Sequence, residues 1–148
     1  MITVINKHSK EREKNKGVDS MEKASRRNTI QKSTIESVVL SSCDHPTAET
    51  IYERVREVLP SISLGTVYRV LGDLVADGKV RRIAVPEAPD RFDKTTCTHA
   101  HFHCSKCGAV VDIATTFGKE MLDSMSQNGN LILEAEVVFK GICAKCNK

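Results

Sequence analysis

The segment HAHFHCSKCGAVVD, residues 99–112, holds three histidines, two cysteines and an aspartate within fourteen positions. Thiolates favour zinc and other thiophilic metals, whereas imidazoles combined with carboxylates suit Fe(II), Mn(II) or Zn(II). Because the two sets of donors prefer different metals, the segment predicts two metal sites rather than one.

Two CxxC pairs supply the donors of the first site, Cys104/Cys107 and Cys143/Cys146. One CxxC turn brings two thiolates onto a cation, and two such turns make a closed tetrahedral sulfur site suited to zinc. With 35 residues between the pairs, the site would tie the first strands of the C-terminal region to its last residues. We therefore predict a structural zinc that contributes to folding, against the alternative of four unrelated thiols.

The second set of donors centres on His99, His101 and His103, which are spaced two apart and would share one face of a strand. A site that draws ligands from both halves of the chain would make their relative orientation depend on metal, which is a switch. A surface cluster of histidines with incidental metal affinity is the alternative. The donors that could complete the site are His45, Asp93 and Asp112.

The pattern of the N-terminal region predicts three helices followed by a two-stranded hairpin. Apolar spacing predicts helices at about 30–40, 47–59 and 63–76, the last with Ser63 as its N-cap and a turn after it. Residues 79–85 and 90–93 predict two strands joined by a turn. This order is typical of a winged helix, whose third helix enters the major groove while the hairpin lies along the phosphates.

The open face of the third helix carries Thr66, Tyr68 and Arg69, whose groups suit base edges and phosphates. Arg81 and Arg82 on the hairpin are candidate phosphate contacts. These five residues predict a DNA-binding surface. The alternative is a small helical domain with a solvated face.

The pattern of the C-terminal region predicts a small sheet with one helix. HFHC and AVVDI predict two strands joined at residues 105–108, and LILEAEVVFKGIC predicts a third. Such a sheet buries little surface alone, so we expect it to pair with a second copy. The expected helix is marked by Phe117, Met121, Leu122 and Met125, and one side of the third strand by Leu131, Leu133, Ala135, Val137 and Phe139, with Glu134, Glu136 and Lys140 on the opposite side.

Composition and charge set the domain organisation. The chain of 148 residues is 40% hydrophobic, and residues 1–32 carry nine basic and four acidic side chains, which is compatible with nucleic-acid contact. We predict a mobile tail at 1–20, a winged-helix DNA-binding domain at 21–92 and a metal-binding dimerisation domain at 93–148. With no apolar run long enough for a membrane span or a signal peptide, we expect a soluble cytoplasmic protein.

Taken in order, DHPTAETIYERV, SLGTVYRVLGDLVADGKVRR, DRFD, HAHFHCSKCG and the terminal CAKC resemble the ferric uptake regulator family. The resemblance covers about residues 24–148. It implies an α+β fold with an N-terminal winged helix and a C-terminal α/β dimerisation domain. It further implies a metal-responsive repressor, not an enzyme, that binds double-stranded operator DNA as a homodimer.

The resemblance also assigns ligands residue by residue. It places structural zinc on Cys104, Cys107, Cys143 and Cys146, and a regulatory metal on His45, Asp93, His99, His101 and Asp112. It matches Tyr68 and Arg69 to the recognition helix. RRNTIQKSTI resembles the family's RxTxQR opening, but Lys32 stands where arginine is usual, and lysine cannot make a bidentate contact.

Three positions favour the peroxide-sensing branch of the family. Iron-uptake members generally place glutamate where this chain has Asp93 and Asp112, and zinc-uptake members typically place a cysteine at the first of these. Ala135 stands where some iron regulators carry a histidine. Two further donors, Cys97 and His103, leave a Zn(II) site open as an alternative.

The peroxide branch implies Fe(II)-driven oxidation of His45 or His99, release of the metal and loss of DNA binding, whereas Mn(II) supports DNA binding without that reaction. The alternative within the family is an iron- or zinc-responsive uptake repressor. A zinc hydrolase or deaminase using His99, His101 and Asp112 is disfavoured, because no HExxH or HxE…PCxxC pattern occurs. A scaffold dimer would leave the basic and aromatic residues of the third helix and hairpin without a role.

Overall fold

The computed structural model describes residues 8–114, 124–126, 130–132 and 135–148, with side chains from residue 25 onward. Helices and strands follow in the order α1 (His8–Ser41), α2 (Ala48–Val58), α3 (Leu64–Ala76), β1 (Arg81–Ile83), β2 (Arg91–Asp93), β3 (Ala100–Cys104), β4 (Val110–Ile113) and β5 (Val137–Gly141). Strands β1 and β2 form an antiparallel hairpin. In the second sheet β3 lies between an antiparallel β4 and a parallel β5. The predicted α+β fold, with three helices followed by a hairpin, is confirmed.

Helix α1 is longer than its apolar pattern indicates, since it begins at His8 rather than near residue 30. The added residues are rich in Glu, Lys and Arg, which are strong helix formers but carry no apolar periodicity to reveal a helix. Gln31, Ile35 and Val39 form its buried stripe, whereas Ile30, expected to face the core, is 45% exposed. The stripe runs at intervals of four residues, which turns Ile30 away from the core. Residues 1–7 lie outside the described ranges, and the mobility of the tail at 1–20 stays a prediction.

Helices α2 and α3 begin where their capping residues predict. Thr47 and Ser63 each accept a hydrogen bond on the side-chain oxygen from the backbone N–H three residues later, over 3.2 Å. Pro46 and Pro60 bracket α2, as expected. The buried faces of the three helices meet in one core formed by Ile35, Val39, Ile51, Val55, Val67, Val70, Leu71 and Leu74.

A second, smaller core lies between the hairpin and the C-terminal sheet. Ile83 and Val85 of the hairpin segment are buried there with Val110, and Val138 packs against them. Polar contacts cross the same junction: the Arg91 guanidinium donates to the Gly108 carbonyl over 2.8 Å, and Lys140 pairs with Glu87 at 2.7 Å. On its other side the hairpin is tied to the helices by a bond from Phe92 N–H to Pro46 O of 3.0 Å. The hairpin therefore packs against both the helices and the sheet.

Two of the three predicted C-terminal strands occur as expected. The third begins at Val137, while Leu131 is 79% exposed, and Leu133 lies outside the described residues. Val138, opposite His101, packs towards the hairpin, whereas Phe139 on the other side of the strand is 48% exposed. Of the predicted helix, Met125 is described and exposed, whereas its remaining markers at 117, 121 and 122 lie outside the described residues.

Within the residues that the structure describes, no helix is both long enough and apolar enough to cross a membrane.

We predict that Leu71→Ala destabilises the protein strongly, because Leu71 is fully buried where the three helices meet. Truncating a buried leucine to alanine costs about 2–5 kcal/mol. Urea denaturation followed by circular dichroism measures the change. Val58→Ala is the control, since Val58 is 67% exposed and its truncation should change the unfolding free energy by less than about 0.5 kcal/mol. Equal effects of the two substitutions would contradict the placement of the core.

Candidate metal centres and nucleic-acid face

The four cysteines of the two CxxC pairs lie together near the end of β3, with their sulfur atoms within 4.8 Å of one another. The Cys107 and Cys143 sulfurs are 3.8 Å apart. Tetrahedral zinc with Zn–S bonds of about 2.3 Å holds its sulfurs about 3.8 Å apart. The cluster therefore has the donor type and spacing of a four-thiolate zinc site.

Backbone hydrogen bonds close both CxxC turns. Gly108 N–H donates to Cys104 O, and Cys146 N–H donates to Cys143 O, each over 2.8 Å. Gly108 has a φ of 71°, a left-handed conformation that a residue with a side chain rarely adopts. The glycine after the first CxxC thus allows the chain to leave the turn and enter β4.

Hydrogen bonding within the cluster separates the pKa values of its thiols. Backbone N–H groups of Cys143 and Cys107 lower the pKa of the Cys104 thiol to about 6. Hydrogen bonds with the Cys143 and Cys107 thiols raise the pKa of Cys146 to about 12. Sulfurs this close hold on to shared protons, which a divalent cation replaces when it binds thiolates.

Five imidazole and carboxylate groups form a second cluster, again with donor atoms within 4.8 Å of one another, from His45, Asp93, His99, His101 and Asp112. They come from the α1–α2 connection, the end of β2, the segment before β3, β3 itself and β4. The register of β3 and β4 sets His101 opposite Asp112. The cluster therefore joins the helical core, the hairpin and the sheet, and it contains each residue that the resemblance assigns to the regulatory metal.

The two carboxylates lie between the three imidazoles. Asp112 Oδ1 is 2.8 Å from His45 Nε2 and 3.1 Å from His99 Nε2. Asp93 Oδ2 is 3.1 Å from His99 Nε2 and 3.4 Å from His101 Nε2. Three imidazole nitrogens and two carboxylates are donors that suit Fe(II), Mn(II) or Zn(II).

The Asp93 carboxyl is 4% exposed. Burial by itself raises the pKa of Asp93, but hydrogen bonds from His101 and from Thr95 N–H, with the charges of His45 and His99, hold that pKa below its ordinary value. The carboxylate is therefore in the anionic form that a metal ligand requires.

His45 is the donor whose surroundings fit a bound metal most directly. It is 6% exposed, and in the described part of the chain neither ring nitrogen has a hydrogen-bond partner of suitable geometry. Its φ of 47° is uncommon for a residue other than glycine. Burying an unpaired imidazole nitrogen is costly, and coordination through Nε2 satisfies that atom.

His99 is oriented by a contact that the sequence did not indicate. Its Nδ1 lies 2.8 Å from the Cys97 carbonyl oxygen. Donation of Nδ1–H to this carbonyl leaves Nε2 free to bind a metal, which is the common arrangement for metal-binding histidines. Cys97 therefore acts on the site through its backbone, and its sulfur belongs to neither cluster found among the described residues.

His103 lies on the same face of β3 as His101 and is 6% exposed. Its ring atoms are not part of the five-donor cluster, and among the described residues its Nδ1 has no hydrogen-bond partner. His103 follows His101 by two residues in β3, so it lies outside the cluster and opposite Val110.

The predicted DNA-contacting residues lie on or near α3 and the hairpin, and most are paired with acidic groups. Tyr68 O–H donates to a Glu49 carboxylate oxygen, an α2 partner that the sequence did not reveal. This bond raises the pKa of Tyr68 and lowers that of Glu49. Arg69 pairs with Asp73 at 3.2 Å, one helical turn away.

The two hairpin arginines differ in what they contact. Arg82 Nε donates to Asp90 across the hairpin over 2.6 Å and stays exposed. Arg81 donates to the Cys97 carbonyl over 3.3 Å and to the Ala135 carbonyl over 3.5 Å. Arg81 thus links the hairpin to the C-terminal region.

Comparisons with known proteins agree with this architecture. A model of the ferric uptake regulator family matches residues 23–140. The chain is 32% identical over 136 residues to the peroxide-responsive repressor PerR of Staphylococcus epidermidis, covering 88% of each protein. It is 36% identical over 105 residues to the transcriptional regulator FurA of Mycobacterium bovis, covering 70% of this chain and 71% of that one.

Among solved structures, the chain resembles the Campylobacter jejuni peroxide stress regulator with a TM-score of 0.70 and 28% identity, over 87% of this chain and 98% of that chain.

We predict that Cys143→Ser removes the bound zinc and destabilises the C-terminal sheet, because it deletes one of four clustered thiolates. Plasma mass spectrometry of purified protein gives zinc per chain, and denaturant unfolding gives the loss of stability. Cys97→Ser is the control and should retain its zinc. A Cys143→Ser protein with a full equivalent of zinc would show that the cluster is not the zinc site.

Proposed function

Because the chain belongs to the ferric uptake regulator family, we propose that it is a metal-dependent DNA-binding repressor that senses peroxide through oxidation of a histidine ligand. The observation that carries this proposal is the five-donor cluster of three imidazoles and two aspartates, drawn from both halves of the chain. The peroxide-responsive relative of Staphylococcus epidermidis, 32% identical over 88% of each protein, supports it. The protein acts once and is modified, so it is not an enzyme.

Two metals have separate roles in this proposal. Cys104, Cys107, Cys143 and Cys146 hold Zn(II), which stabilises the C-terminal sheet. His45, Asp93, His99, His101 and Asp112 hold the regulatory Fe(II) or Mn(II). Zn(II) also suits this donor set, but two aspartates and no thiolate favour the harder cations.

His45 and His99 are the residues that we propose to be oxidised. Fe(II) held by these residues would supply the electrons that cleave the O–O bond of hydrogen peroxide. Overall, one oxygen atom of the peroxide would be inserted at a C–H bond of a ligating imidazole, and the other would leave as water. Both imidazoles present Nε2 to the carboxylates, at 2.8 Å and 3.1 Å from Asp112. An imidazole that gains oxygen is a poorer donor, so its contact with the site weakens and the metal is released.

Loss of the metal changes how the two halves of the chain are held together. His45 and Asp93 belong to the helices and hairpin, whereas His99, His101 and Asp112 belong to the C-terminal segment. Metal binding favours the arrangement in which all five converge, and its loss removes that preference. We propose that this arrangement is the DNA-binding one and that the domains are 21–92 for DNA binding and 93–148 for metal binding and dimerisation.

We propose that double-stranded operator DNA is contacted by Thr66, Tyr68, Arg69 and Arg82, with Arg81 at the inner edge of the hairpin. Tyr68 is 50% exposed, and Arg69 and Arg82 are exposed as well. Their acidic partners make these side chains ordered before DNA arrives, and phosphates must compete with Asp73 and Asp90 for the guanidinium groups.

A homodimer is supported by the outer face of the C-terminal sheet. Phe102, Val111 and Phe139 are paired across the three strands and share one face. Val111 is 50% exposed and Phe139 48% exposed, a poor arrangement for apolar groups in water. A second copy placed on this face would bury them. We also propose a cytoplasmic location, where the thiols stay reduced.

We predict that brief hydrogen peroxide treatment of Fe(II)-loaded protein adds oxygen to His45 or His99. The oxidised protein should then dissociate from DNA. Peptide mass spectrometry after anaerobic loading locates the modification, and DNA retention is measured in parallel. Mn(II)-loaded protein is the control and should keep its histidines and its DNA. Unmodified histidines and unchanged DNA binding would instead favour an iron- or zinc-responsive uptake repressor.

We predict that Arg69→Ala weakens binding to all double-stranded DNA. The negative slope of log affinity against log salt concentration should become shallower by about 1, because one phosphate contact is lost. Fluorescence anisotropy across a salt series with Mn(II)-loaded protein measures both quantities. Arg56→Ala is the matched control, because this α2 arginine stacks on Tyr52 at 5.3 Å. If both substitutions alter the slope equally, Arg69 is not a phosphate contact.

A further inference from the structure

A small cavity lies against the five-donor cluster and leads to the protein surface. Its volume is about 120 Å³, and its lining includes His45, Asp93 and Asp112, which are three of the five donors. The outer part of the lining comes from Cys43 and Lys94, which are both exposed. The cavity thus connects solvent to the donor atoms.

The outer wall of the cavity is ordered by a contact between two segments. Lys94 Nζ donates to Cys43 Sγ over 3.1 Å, which joins the α1–α2 connection to the residue after β2. Thr95 N–H donates to Asp93 Oδ1 over 2.9 Å and fixes the neighbouring stretch of chain. Both contacts hold the wall at a defined distance from the donors.

The donor count leaves room for a small molecule. Fe(II) or Mn(II) with six ligands on five protein donors keeps one position open. A water molecule occupies about 30 Å³ of liquid, so a cavity of about 120 Å³ admits water or hydrogen peroxide.

We propose that this cavity is the access route by which small reactants reach the metal, and that the Cys43 side chain sets its width. The proposal rests on the proposed function and deepens it, because it assigns the path by which the oxidant reaches the donor atoms. Cys43 acts in it through the space that it occupies, not through the chemistry of its thiol.

Three variants separate space from chemistry. Cys43→Leu adds bulk inside the cavity, and Cys43→Ser keeps the size while removing the thiol. Ser41→Leu adds the same apolar side chain two positions away, on an exposed residue that does not line the cavity. Mn(II) titration gives the affinity of each variant, so that relaxivity is compared per bound Mn(II).

The first readout needs no peroxide. In Mn(II)-loaded protein, water exchanging at the open position enhances the relaxation of bulk water protons. We expect Cys43→Leu to lose this inner-sphere component, while Cys43→Ser and Ser41→Leu keep it. If the relaxivity per bound Mn(II) is the same in Cys43→Leu as in wild-type protein, the access route is overturned.

The second readout is the rate of histidine oxidation in Fe(II)-loaded protein. We expect Cys43→Leu to slow oxidation by hydrogen peroxide about tenfold, the scale on which a pocket discriminates by one or two methylene groups. If Cys43→Ser slows the reaction as much as Cys43→Leu, thiol chemistry controls it and the proposal fails.

The two readouts distinguish the failures. If wild-type protein shows no histidine oxidation, the proposed function is overturned. If Cys43→Leu still abolishes the inner-sphere relaxivity in that case, the cavity is a route for water. Normal histidine oxidation with relaxivity and rates that do not respond to Cys43→Leu overturns the access route and supports the proposed function.

Discussion

The buried carboxylate of Asp93 lies where the helical core, the hairpin and the C-terminal sheet meet. Its pKa is held below the ordinary value despite burial, because His101 and Thr95 N–H bond to it. A buried anion requires a compensating charge. Here that charge comes from the surrounding imidazoles or from a divalent cation, and both bring the three parts of the chain together. The charge on Asp93 therefore acts together with the apolar contacts between the hairpin and the sheet to hold these parts of the chain in place.

Strand β3 serves both metal centres, since His101 lies in its middle and Cys104 at its end. The sulfur cluster ties the sheet to the C-terminal turn and would hold zinc permanently, because four thiolates leave no open position. The second cluster contains the half-exposed Asp112 and connects with solvent through the cavity beside His45. A closed site suits a structural role, and an open one allows a metal to exchange or react. One short strand thus supports two sites with opposite requirements.

The proposed DNA face is arranged by the same principle of paired charges. Tyr68 bonds to Glu49, Arg69 to Asp73 and Arg82 to Asp90. Pairs as exposed as these contribute little to stability, so their main effect is on position. They hold long side chains in place, and they make DNA binding a competition between phosphate and carboxylate groups.

The sequence alone determined the elements and the ligand types. Apolar periodicity and the caps Thr47 and Ser63 defined α2 and α3, and the CxxC spacing identified the sulfur site, because these signals act over a few residues. The length of α1 was not determined, since its first half lacks apolar periodicity. Spacing alone left open which donors converge; the resemblance named five, and the tertiary structure brings those five together. It placed His103 outside the cluster, directed the Cys97 carbonyl to His99 and turned Phe139 outward, because strand register and the packing of the hairpin against the sheet are long-range properties.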